Sequence, residues 1–128
     1  MAWLTKSRFL SGLQCSKRLW FEVHEPLDEP PEPDVAVLQG RLFDEFVQQL
    51  QPGPVISREN GMPAAIAATK RLLQAGGPPP PILYQPAFLA GDLAVIADVL
   101  RWRGEAFDLI EVKSSTVVKD THLPDAAF

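Results

Sequence analysis

The sequence predicts an α/β fold in which helices flank a small mixed sheet built on a three-stranded antiparallel meander. Two observations carry this. Residues 82–112 hold three β-rich runs, "ILYQPAFLA", "LAVIADVLRW" and "AFDLIEV", separated by Gly91-Asp92 and Gly104-Glu105 turn signals. Residues 35–50 instead repeat apolar side chains at helical spacing: Val35, Leu38, Leu42, Phe46 and Leu50. The length of 128 residues suits one domain spanning 1–128, and 46% hydrophobic with 22% charged residues is an ordinary globular composition.

The elements follow in order. Thr5 can cap a helix starting at Lys6, with Phe9, Leu10 and Leu13 on one face. Gly12 and Ser16 weaken that helix, so a break is expected near Gln14-Cys15. A second short helix then carries Leu19, Trp20 and Val23. Residues 25–34, "EPLDEPPEPD", form an acidic, proline-rich loop, because prolines at 26, 30, 31 and 33 deny it regular structure. The 35–50 helix is stopped by "QPGP". Pro63 suits the first turn of a helix running to about Ala75. Residues 76–81, two glycines and four prolines, are a stiff connector into the strands. The tail "STVVKDTHLPDAAF" reads as a loop entering another helix. The chain has no internal repeats.

Composition excludes several classes. No apolar run approaches the ~18 residues of a membrane span, and "MAWLTKSRFLSGL" lacks the apolar core and cleavage site of a signal peptide. A single cysteine, Cys15, rules out an internal disulfide and makes the cytoplasm the default compartment, with no membrane partner. The net charge of −4 argues against nucleic-acid binding, but the signs are segregated. Residues 25–34 hold five acids and no base, so the rest of the chain stands at +1. Residues 1–24 set Lys6, Arg8, Lys17 and Arg18 against Glu22 alone. That basic set is either a solvated face or one turned to phosphate.

The sharpest feature is "IADVLRWRGEAFDLIEVKSS", two apolar runs that contain carboxylates. If Gly104 and Glu105 form the turn, Arg103 pairs with Ala106. Counting back along both strands then sets Asp98 opposite Glu111. Opposed side chains lie roughly 4.5–5.5 Å apart at Cβ on one face. Two carboxylates that close raise a pKa or need a cation. Lys113 leaves the same face as Glu111. With Gly91-Asp92 as the first turn, Gln85 flanks Asp98 from the other side. Two acids and an amine suit divalent-metal chemistry on phosphate. The alternative is an edge hairpin with a surface ion-pair cluster. The setting of Asp98 inside "AVIADVL" speaks against it.

"IADVL", a variable turn and "LIEVKSS" resemble the PD-(D/E)XK nuclease superfamily in its RecB-like branch. Ala97-Asp98 stand for the proline-aspartate element and Glu111-Val112-Lys113 for the acid-x-lysine element. "LTKSRFLSGLQCSKRLWFEVH" is similar to the opening of RecB-like nucleases with an iron–sulfur cluster, CRISPR-associated ones included. "VKSSTVVKDTHLPDAAF" resembles the same group just before its next helix. The resemblance implies a restriction-endonuclease-like core, C-terminally incomplete in this chain. It implies a Mg²⁺- or Mn²⁺-dependent deoxyribonuclease acting on DNA in repair, defence or CRISPR adaptation. Asp98, Glu111 and the Val112 carbonyl would ligate the metal. Lys113 would orient the attacking water or stabilise the pentavalent phosphorus. Cys15 would be one ligand of a 4Fe-4S cluster whose other cysteines lie downstream, since a cluster takes four. The missing C-terminal part or partner subunits would complete the site.

The sequence departs from that pattern in places. The proline before Asp98 is absent. Asp44, four residues after Gly40, stands where RecB-like enzymes often have a histidine, as a ligand or a surface acid. Gln85 stands where many relatives have glutamate. These departures leave open a second function: a catalytically inactive nucleic-acid-binding or protein-interaction module that keeps the fold. Of the remaining residues, Ser114 and Ser115 follow the lysine and could contact substrate. Lys17, Arg18 and Lys119 are candidate DNA contacts or merely solvated. Cys15, outside the cluster reading, is expected to be a buried thiol. His24 fits a surface or helix end, and His122 either that or a phosphate contact. Trp3 and Trp20 are expected in a core or interface, and Trp102, on the face of Asp98, under a helix.

Overall fold

Thr5 ends one element and starts the next. In the computed structural model, which describes residues 3–29 and 31–128, Leu4–Thr5 is a short strand (β1). The Thr5 side chain then accepts a hydrogen bond from the Arg8 N–H and caps helix α1, Lys6–Gln14. Cys15 is extended and separates α1 from α2, Ser16–His24, at the expected break. The acidic loop follows without helix or strand and is exposed wherever it is described. Pro30 lies outside the described residues. Asp34 caps α3, Val35–Leu50, by accepting from the Val37 N–H at 2.9 Å. Next come α4 (Gly61–Leu73), β2 (Ile82–Tyr84), β3 (Ala87–Ala90), β4 (Leu93–Ile96), β5 (Val99–Trp102), β6 (Phe107–Ile110) and α5 (His122–Ala127). The architecture is mixed α/β, with five helices and two three-stranded sheets among the described residues. None of these helices is long and apolar enough to cross a membrane.

The expected meander holds its register but not its unity. The sheets run β1-β4-β3 and β2-β5-β6, so two of the three expected strands are each broken in half. Tyr84 pairs with Val99 on one side of the break and Ala87 with Ile96 on the other, without a slip. Between them the chains stay joined by single bonds, Gln85 N–H to Asp98 C=O and Ala97 N–H to Pro86 C=O, both 3.0 Å. Pro86 has no N–H to return, and Gln85 sits at φ +57°, so neither can continue a regular ladder. The sheet bends there. Gly91 (φ +59°) and Gly104 (φ +100°) make the turns on either side with backbone that a side chain would strain. Unanticipated is β1, which pairs in parallel with β4 through Leu4–Leu93 and Thr5–Ala94.

The core lies between α4 and the strands. It comprises Ile56, Ala65, Ile66, Leu83, Ala87 and Leu100. Thr69 joins the two layers: its hydroxyl donates to the Ala65 C=O and accepts from the Ala87 N–H, each at 2.9 Å. Tyr84, 2% exposed, donates its hydroxyl to the Gln51 C=O at 2.6 Å and so ties the end of α3 to β2.

Helix α3 does not turn its apolar stripe to the core: Leu42 is 65% exposed and Phe46 52%, with Val35, Leu38 and Leu50 also open. The half-buried positions are Gly40, Asp44, Val47 and Gln48, a different face of the same helix. Trp102 does not pack under a helix either. It stacks on its rung partner Phe107, with ring centroids 4.7 Å apart. Trp20 is exposed against His24 rather than buried in a core.

Replacing Thr69 with valine strands the buried Ala87 N–H. Urea denaturation should show a loss of about 1–3 kcal/mol, and Thr69→Ser should restore most of it. Equal stability of wild type and Thr69→Val would remove this bond from the account of how α4 is held.

Candidate active site

Four elements and the sheet bend meet at one cleft. Asp98 stands at the bend between β4 and β5. The pairing of β5 with β6 ends at Val99–Ile110, so the next positions along the two chains are Asp98 and Glu111. The counted register is therefore the one adopted. Gln85 comes from the bend on the opposite strand, its N–H bonded to the Asp98 carbonyl. Asp44 comes from the inward face of α3. The cleft, of roughly 410 Å³, is lined by Asp44, Gln85, Asp98, Glu111 and Lys113, together with Lys6, Arg58 and Asp125.

The electrostatics are dominated by excess carboxylate. Asp98 is pushed up to about 6: burial is the main cause, with the Glu111 and Asp44 charges adding to it. A hydrogen bond from the Val112 N–H to Asp98 Oδ2, 2.8 Å, partly offsets this. Asp44 is also raised, by burial first and then by Glu111. Asp44 is thus a half-buried member of the cluster and not a surface acid.

Glu111 is balanced differently. Lys6 Nζ lies 2.7 Å from its Oε2 and Lys113 Nζ 2.9 Å from its Oε1. The same two lysines reach Asp125 on α5, Lys6 at 2.9 Å from Oδ1 and Lys113 against Oδ2. The result is a ring of alternating charges. Burial alone would lower both lysines, but their hydrogen bonds to Glu111 and Asp125 outweigh it and hold both above the usual amine range. For Asp125 burial acts upward, and the two lysines more than reverse it, so it stays below the usual carboxylate range.

The donor set suits a hard divalent cation: carboxylate oxygens from Asp44, Asp98 and Glu111 face one cleft. Asp44, Asp98, Glu111 and Asp125 against Lys6, Lys113 and Arg58 leave the cleft with one uncompensated negative charge. In the arrangement described, Glu111 is turned to the lysines. No three His, Cys, Asp or Glu side chains among the described residues are grouped to hold a metal. Binding would require Glu111 to turn from its lysines toward Asp98.

Other expected residues lie elsewhere. Ser115 is exposed and bonds the Val117 carbonyl, beside Lys113 but outside the cleft of Asp98. His122 starts α5, and its Nδ1 accepts from the Lys119 N–H at 3.2 Å. Lys119 itself is exposed. Lys17 lies over the Phe21 ring, 5.8 Å from its centroid, while Arg18 pairs with Glu22 on the surface. Cys15 is exposed, contrary to the buried thiol expected, because it falls at the corner between two helices.

Three charged residues of the cleft were not singled out from sequence: Lys6, Arg58 and Asp125. For Lys6 the available signal was the basic excess of residues 1–24. For Asp125 there was none, since one acid in a short terminal helix is an ordinary solvated residue. No family model, curated protein or solved structure matches the chain.

Asp98 titrates higher in the fold than its ordinary 3.8, so folding takes up a proton between pH 3.8 and about 6. Its effect on stability is most favourable below that window and is lost as pH rises through it. Asp98→Asn keeps an acceptor for Val112 and removes the charge. Thermal melts should show little difference near pH 4. Above pH 6 the variant should gain ~4 °C, the shift that about 1 kcal/mol, after screening by partial exposure, produces. A gain of equal size at every pH would assign it to something other than this carboxyl.

Proposed function

We propose that the chain carries the metal-dependent centre of a RecB-like, PD-(D/E)XK-type deoxyribonuclease on a restriction-endonuclease-like core. The observation that carries this reading is the delivery of Asp98 and Glu111 to neighbouring ends of one ladder, with Lys113 beside them. In this reading Asp98, Glu111 and the backbone of Val112 hold Mg²⁺ or Mn²⁺, with Asp44 in support. When bound, the ion supplies positive charge at the scissile phosphate. Lys113 sets an ammonium where it can donate to a phosphate oxygen or to the attacking water. Gln85 offers an amide beside Asp98. Half-burial of the cluster strengthens each of these charge interactions relative to open water. DNA is the proposed partner.

One observation favours the second reading, an inactive nucleic-acid-binding module with the same fold. Both Glu111 oxygens are held by lysines and one Asp98 oxygen by the Val112 N–H. A structural ion-pair cluster would be arranged in that way.

Calorimetric titration with Mn²⁺ separates the two. The nuclease reading expects saturable binding that Asp98→Ala abolishes. Lys113→Ala should still bind Mn²⁺ while losing at least ~100-fold in hydrolysis of single- or double-stranded DNA, the usual scale for removing one electrostatic contact to the transition state. Absence of Mn²⁺ binding, or binding indifferent to Asp98→Ala, would leave the inactive module.

A further inference from the structure

The ring of charges contains more cation than the nuclease reading uses. Lys6 is brought to the site by β1, which pairs with β4 and fixes where α1 starts. Its Nζ and that of Lys113 each hold a different oxygen of the Asp125 carboxylate, whose side chain is 11% exposed. Two ammonium groups, one on each oxygen of a single anion, also match two non-bridging oxygens of a phosphate.

Asp125 is attached to the fold through a short element. It belongs to a six-residue helix, α5, reached through residues 111–121, which form no helix or strand beyond a turn at 120–121. Around that helix the Phe9–Phe128 ring contact, at 5.0 Å, supplies packing that does not depend on the ion pairs. Charge points the same way. Turning Glu111 toward Asp98 would leave Lys6 and Lys113 with Asp125 alone, one positive charge in excess. Ser7 and Arg58 line the same cleft and add a hydroxyl and a guanidinium.

We propose that Lys6 and Lys113 form a two-ammonium phosphate site that Asp125 fills in the free protein and gives up to a phosphate group of the substrate. This rests on the nuclease reading for its purpose. It makes Lys6 a phosphate-binding residue and Asp125 an internal competitor.

The probe is inorganic phosphate, titrated at low salt without divalent cation and followed by calorimetry. Asp125→Asn should bind phosphate roughly tenfold more tightly than wild type, about the effect of removing one anionic competitor worth ~1.4 kcal/mol. Adding Lys6→Met to Asp125→Asn should abolish that gain, and Lys6→Arg should keep it. The inference is overturned if Asp125→Asn binds no better than wild type, or if Lys6→Met leaves the gain intact. Should Asp125→Asn not fold, wild type decides: phosphate must protect Lys6 and Lys113 together from acetylation, and failure at either overturns the site. Repeating the titration in Asp98→Asn separates this from the nuclease reading. Mn²⁺ binding that Asp98→Asn leaves intact, with phosphate binding unchanged, would count against the metal centre alone. Mn²⁺-dependent cleavage without the Asp125 effect would count against the two-lysine site alone.

Discussion

The sheet bend at Gln85-Pro86 and Ala97-Asp98 is the constraint on which the rest of the structure turns. Two single hydrogen bonds hold the chains in register there while ending the regular ladder. On one side of the bend, β3 and β4 form the sheet that receives β1 and so brings in Lys6. On the other, β2, β5 and β6 form the sheet that brings in Glu111 and Lys113. Asp98 sits at the junction. A flat, unbroken meander would offer Asp98 one exposed or one buried face. The bend instead lets its carboxylate meet the Val112 N–H and share a cleft with groups from both sheets. The positive φ of Gln85 places local backbone strain beside Asp98.

The site is held together by charge that does not balance. Two lysines are shared between Glu111 and Asp125, and the remaining acids, Asp98 and Asp44, have no cation as a direct partner among the described ion pairs. Burial raises Asp98 to about 6, and the Glu111 and Asp44 charges add to it. A core selected for stability alone would place an apolar residue between Ala97 and Val99. A carboxylate there lowers stability at neutral pH, because burial favours its protonated form.

Helix α3 shows where pattern reading succeeds and where it stops. Its bounds, Val35–Leu50, follow from the spacing of apolar residues and the "QPGP" stop. Which face turns inward does not. The apolar stripe is exposed, and Gly40, Asp44 and Val47 face the protein instead. The hydroxyl of Tyr84, bonded to the Gln51 carbonyl, fixes the end of the helix against the sheet from outside it. That contact joins residues far apart in sequence, and periodicity within the helix carries no information about it.

By itself the sequence determined the helix breaks, the two glycine turns and the register that sets Asp98 beside Glu111 and Gln85. These are local quantities: turn chemistry and a two-residue strand period suffice to count them. The tertiary structure decided the splitting of the meander, the inward face of α3, the exposure of Cys15 and the entry of Lys6 and Asp125 into the site. The splitting of the meander, the seating of α3 and the completed site depend on bonds between distant segments: Gln85 with Asp98, Tyr84 with Gln51, Leu4 with Leu93, and one lysine with acids from two other elements. Local pattern says what an element is. Its partner is chosen by the free energy of burying and pairing groups that meet only once the chain has closed on itself.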